Sequence, residues 1–114
     1  MPNDPRISRL LELVSGPLDL RKLERLTRDF QDLAQDRPET AALFVLQNVT
    51  DQLASELRGE AVEYSRFQEL TADIGKRITD VLQGLQETRS ITSELDDLVA
   101  TMFRNRGMYR SQDG

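Results

Sequence analysis

The chain is predicted to be all-α, a compact four- or five-helix bundle whose helices are largely antiparallel and joined by short loops. Three observations carry this. Apolar residues recur at i, i+3, i+4 and i+7 along almost the whole chain, the period of a one-sided helix, and no stretch alternates with the period of a strand. Leu, Arg, Glu, Gln and Ala are abundant, and these side chains lose little freedom on entering a helix. Breakers stand between the apolar stretches, at Gly16-Pro17, Arg37-Pro38 and Gly59. Short connections of this kind favour antiparallel neighbours.

The first helix is expected to begin at Pro5, with Asp4 as N-cap and the proline at the first helical position, where its missing N–H costs nothing. Ile7, Leu10, Leu11 and Val14 then share one face, and Ser15-Gly16-Pro17 stops the helix. The second runs from about Leu18 to Gln35, with Leu20, Leu23, Leu26 or Thr27, Phe30 and Leu33 in a narrow stripe. It ends before Pro38, because the residue preceding a proline is pushed out of helical geometry. Asp36 and Glu39 read as a capping box for the third helix, about Pro38 to Arg58.

That third helix opens with six apolar residues in a row, Ala41 to Leu46. Such a run covers every side of a helix, so this half is expected either at the centre of the fold or where a second subunit packs. Beyond it the stripe narrows to Val49, Leu53 and Leu57. A fourth helix, about Glu60 to Thr88, carries Phe67, Leu70, Ile74, Ile78, Val81 and Leu85. Gly75 and Gly84 lie inside it, which points either to a close helix contact or, for Gly84, to a nearby end. A fifth, about Ser90 to Arg104, carries Ile91, Leu95, Leu98, Val99 and Met102. The connection lacks proline and the apolar phase nearly continues, so residues 60–104 read either as two helices or as one long one. The domain is expected to span 1–104, with 105–114 a flexible C-terminal tail.

Composition narrows the function classes. The chain has no Cys, hence no disulfide, thiolate metal site or cysteine nucleophile, and no His, the usual general base and metal ligand near neutral pH. No phosphate-binding loop, dinucleotide fingerprint or nucleophile elbow is present. Two acidic clusters, Asp29-Asp32-Asp36 and Glu94-Asp96-Asp97, read as a solvated face and as acids complementing a helix N-terminus rather than as metal or acid–base sites. The expectation is a protein that is not an enzyme, with no cofactor, no bound metal and no small-molecule substrate. The N-terminus lacks the pattern of a signal peptide and the longest apolar run is far short of a membrane span, so a cytoplasmic protein without membrane contact is expected.

Partners are then proteins, a second copy of the chain included. Leu43, Phe44, Val45 and Leu46 are the candidates for self-association, and Met102, Phe103, Met108 and Tyr109 for docking another protein, because Met and Tyr are adaptable interface anchors. The charge pattern gives an alternative. The net −5 conceals +3 over residues 6–28 (six basic, three acidic), −6 over 29–63 (two basic, eight acidic) and +2 over 104–114 (three basic, one acidic). Arg21, Lys22, Arg25 and Arg28, with Arg104, Arg106 and Arg110 at the other end, offer phosphate contacts for an accessory subunit of a nucleoprotein complex. The acidic pI near 4.7 weighs against a dedicated nucleic-acid binder.

Overall fold

A computed structural model describes residues 4–37, 40–59 and 64–104. They form five helices: α1 Pro5–Val14, α2 Leu20–Asp36, α3 Ala41–Arg58, α4 Tyr64–Gln86 and α5 Thr92–Arg104. The two-helix reading of residues 60–104 holds, and the single long helix is overturned by a turn after Gln86. The stretch taken as a flexible tail lies outside the described residues.

Contacts fix the topology. Arg6 of α1 pairs with Asp36 at the far end of α2, and Glu24 of α2 takes a 2.7 Å bond from Arg58 at the end of α3. Gln86 of α4 donates to Ser8 of α1 at 3.1 Å, while Gly75 lies against Val14. Arg77 of α4 reaches Asp97 of α5 at 4.0 Å. Each helix is thus antiparallel to the next, and α1 to α4 close a ring with α5 laid against α3 and α4.

Asp4 caps α1, accepting from the Arg6 N–H at 2.9 Å, as expected. Asp19 caps α2 through the Lys22 N–H at 2.8 Å, so α2 begins at Leu20 rather than Leu18. The expected capping box on Asp36 is not formed: Asp36 is the last residue of α2, its carboxylate engaged by Arg6, and Thr40 precedes α3 without a side-chain cap bond. The other half of that box, Glu39, lies outside the described residues. Arg6, Asp4, Asp36 and Arg37 together tie the start of α1 to the end of α2. The hydrogen bond from Arg6 holds the Asp4 carboxyl below its ordinary range, and Asp4 and Asp36 in turn raise Arg6.

The core is aliphatic with two aromatic rings, Phe30 and Phe67, both fully enclosed. Leu23, Leu26 and Leu33 of α2 interlock with Leu43, Leu46 and Leu53 of α3, and Ile7, Leu10, Ile74, Ile78 and Val81 complete the cluster. Burial of such side chains stabilises by about 1.5–3 kcal/mol each. One polar contact lies in the α2–α3 seam, where the hydroxyls of Thr27 and Thr50 stand 2.8 Å apart. One donates to the other, and the acceptor passes its own proton to a carbonyl one turn back, Leu46 at 3.1 Å or Leu23 at 2.9 Å.

The two glycines of α4 have different causes. At Gly75 a methyl group would sit 3.5 Å from the Val14 carbonyl oxygen and 3.6 Å from Leu18, ordinary contact. At Gly84 it would stand 2.2 Å from Ile91 Cγ2, an impossible overlap, so the chain beyond α4 folds back over the space that glycine leaves.

Candidate interaction site

The run Ala41–Leu46 does not behave as one buried block. Ala42, Leu43 and Leu46 are enclosed, Val45 is half-buried, and Ala41 and Phe44 face outward. The expectation that this half of the helix is surrounded is therefore corrected. A ring of short helices covers α3 from the α2 side and from the α4–α5 side, which leaves an outer strip. Phe44 is 45% exposed, the one large hydrophobic residue so open among the described residues. It heads a strip continued by Asn48, Asp51 and Ser55, all exposed and at helical spacing.

Of the four residues expected to mediate self-association, then, Leu43 and Leu46 belong to the monomer's own core, and Phe44 with Val45 remain at the surface. The signal was present in the sequence. Carrying the narrower stripe of Val49 and Leu53 backwards by threes and fours leads to Leu46, Leu43 and Ala42 and leaves Phe44 off it.

The proposed docking residues at the other end fare differently. Met102 is half-buried against the core, and Phe103 and Arg104 are the last residues of α5. Arg106, Met108, Tyr109 and Arg110 lie outside the described residues.

Along α2, Arg21, Arg25 and Arg28 are exposed as the helical spacing requires. Arg25 reaches Asp29 at 3.7 Å, whereas Arg21 and Arg28 make no ion pair among the described residues. Lys22 leaves this row, its ammonium nitrogen lying over Gly16. Between α2 and α3 a polar groove of about 370 Å³ is lined by Glu24, Arg28, Asp51 and Arg58, two acidic and two basic residues. A second groove, about 380 Å³ and mainly apolar, lies between the Gly16–Asp19 turn and Phe67, Gln68, Thr71 and Ala72 of α4. Among the described residues no group of three or more His, Cys, Asp or Glu is arranged to hold a metal ion. Nor is any helix long and apolar enough to cross a membrane.

Comparison of the chain with protein-family models, with curated proteins and with solved structures finds no match.

Proposed function

We propose that this chain is a non-catalytic helical interaction module, an adaptor, assembly subunit or regulator, that binds protein, a second copy of itself included, through the outer strip of α3. The observation that carries the reading is Phe44, an aromatic ring 45% exposed beside half-buried Val45 at the head of an otherwise polar strip. Aromatic anchors surrounded by polar groups are the usual energetic centres of protein interfaces. The lack of His and Cys supports a non-catalytic role, and a cysteine-free chain suits a reducing cytoplasm.

Light scattering on the wild-type chain and on Phe44→Asp tests it, together with a photoreactive residue placed at Asn48 on the strip or at exposed Glu12 on α1. The reading expects wild type above the 13.0 kDa monomer mass, or an adduct formed from position 48 and not from 12, and loss of either with Phe44→Asp. A monomer that gives no position-selective adduct defeats it.

A second reading has one observation in its favour. The antiparallel order brings the end of α5 to the same end of the bundle as the start of α2, so the backbone of Arg104 ends α5 at the level of exposed Arg21 and Arg25. On this reading the chain contacts nucleic-acid phosphates within a larger complex. Single-stranded oligonucleotides should then bind weakly and with strong salt dependence. Binding unchanged by Arg25→Ala and Arg28→Ala removes it.

A further inference from the structure

We infer that α5 is an exchangeable arm, able to leave its own bundle and take the same place on a second copy of the chain. The inference stands on the α4–α5 connection rather than on Phe44.

The stop at the end of α4 runs against its own sequence. The Arg89 N–H bonds the Gly84 carbonyl at 3.0 Å and the Thr88 N–H bonds that of Leu85 at 3.2 Å, the paired bonds of a Schellman ending. The residue at the left-handed position of such an ending is normally Gly or Asn. Here it is Thr88, at φ 55°, a conformation that a β-branched residue rarely adopts. Residues 86–91, Gln-Glu-Thr-Arg-Ser-Ile, contain neither Gly nor Pro. The apolar spacing of Val81 and Leu85 resumes on the far side at Leu95, Leu98 and Met102. Locally, then, the chain favours one continuous helix.

Tertiary contacts hold the turn instead. Ile91 fills the space above Gly84, and Arg89 bridges Glu87 at 2.8 Å and Glu94 at 3.1 Å. The arm they hold is lightly seated: in α5 Leu98 and Thr101 are fully enclosed, whereas Leu95, Val99 and Met102 are half-buried. If the turn straightens, residues 64–104 become a rod of roughly 60 Å at 1.5 Å per residue. The slot between α3 and α4 is then open, and its shape fits one partner, the α5 of another copy that has straightened likewise. Every contact of α5 is remade across the dimer, while two strained threonines relax, which is the thermodynamic basis of segment exchange.

Size-exclusion chromatography with light scattering and small-angle X-ray scattering test this on Gly84→Ala, Thr88→Gly, Phe44→Asp and wild type, each refolded from denaturant at millimolar and at micromolar concentration. In Gly84→Ala the added methyl takes the place of Ile91 and favours helix, so an elongated dimer is expected at micromolar concentration. Wild type refolded at millimolar concentration should yield the same dimer, slow to dissociate on dilution, and at micromolar concentration a monomer. Thr88→Gly removes the strain from the turns of the two monomers, and with it the relief that dimerisation brings. Taking about tenfold per left-handed residue, its dimer should be weaker by roughly a hundredfold. Folded, monomeric Gly84→Ala overturns the inference. Where that variant fails to fold, wild type that refolds only to monomer at millimolar concentration overturns it equally. A dimer that Thr88→Gly leaves intact, or that Phe44→Asp abolishes, also overturns it, the latter pointing instead to the outer strip of α3.

Discussion

The α2–α3 hairpin and the α4–α5 hairpin are both antiparallel helix pairs with short connections, yet they are seated very differently. In the first, both partners are deeply committed: Leu23, Leu26, Phe30 and Leu33 meet Leu43, Leu46, Val49 and Leu53, with a part-buried hydroxyl pair between them. In the second, α4 is as buried as α2, through Phe67, Ile74, Ile78 and Val81, but among its described side chains α5 contributes one fully enclosed apolar residue, Leu98. In sequence the stripe of α5 is no poorer than that of α2. The difference is position: α2 lies within the ring of four helices, while α5 lies against its outside. An amphipathic pattern therefore secures a helix without securing how firmly the helix is held.

Truncation in the two hairpins should expose this contrast most clearly. Leu53→Ala, at a fully enclosed site between α2 and the rest of the core, should cost about 3–4 kcal/mol in urea unfolding. Leu95→Ala or Met102→Ala in α5 should cost about 1 kcal/mol or less, since part of each side chain is already in water. Hydrogen exchange should find the amides of α5 opening well before those of α2 and α3. Equal costs and equal protection would mean that the two hairpins are seated alike.

The glycines of α4 give the next comparison, between its contact with α1 and its connection to α5. Gly84→Ala should destabilise the monomer by about 1–3 kcal/mol, because Ile91 must be displaced. Gly75→Ala meets only ordinary contacts and should be neutral or stabilise by roughly 0.5–1 kcal/mol, the usual gain of Ala over Gly inside a helix. Thermal unfolding at low micromolar concentration reads both.

A smaller effect concerns the charges that tie α1 to the end of α2. Because Arg6 lowers the Asp4 carboxyl from its ordinary 3.8, the contribution of that charge is present above about that pH and is lost as pH falls through the lowered value. Asp4→Asn keeps an N-cap and removes the charge. The variant should be less stable than wild type at pH 6 by under about 1 kcal/mol, as befits a mostly solvated pair, and the gap should close as pH falls below the lowered value. A gap that persists in acid would show that the cap, not the ion pair, had been damaged.

The smallest change is expected inside the firmer hairpin. Thr50→Val removes one hydroxyl of the part-buried pair, but Thr27 can still donate to the Leu23 carbonyl, so no donor is stranded. The cost should be below about 1 kcal/mol in denaturant unfolding.

The sequence by itself determined the helical class, the count of helices to within one, and the breaks at Gly16-Pro17, Arg37-Pro38 and Gly59. These depend on local chemistry: spacing of apolar residues, and breakers whose backbone preferences act wherever they stand. It also foretold the Asp4 cap, and it contained unread the Asp19 cap and the outward phase of Phe44. Two things belonged to tertiary structure alone. How much of Phe44 and Val45 stays open to solvent depends on which sides of α3 its neighbours cover, because helical phase gives a residue's direction and not what lies there. The stop at Thr88 depends on Ile91 settling over Gly84 and on Arg89 bridging two glutamates. No residue between Gln86 and Ile91 breaks a helix locally, so only contacts made after the chain has folded back decide where α4 ends.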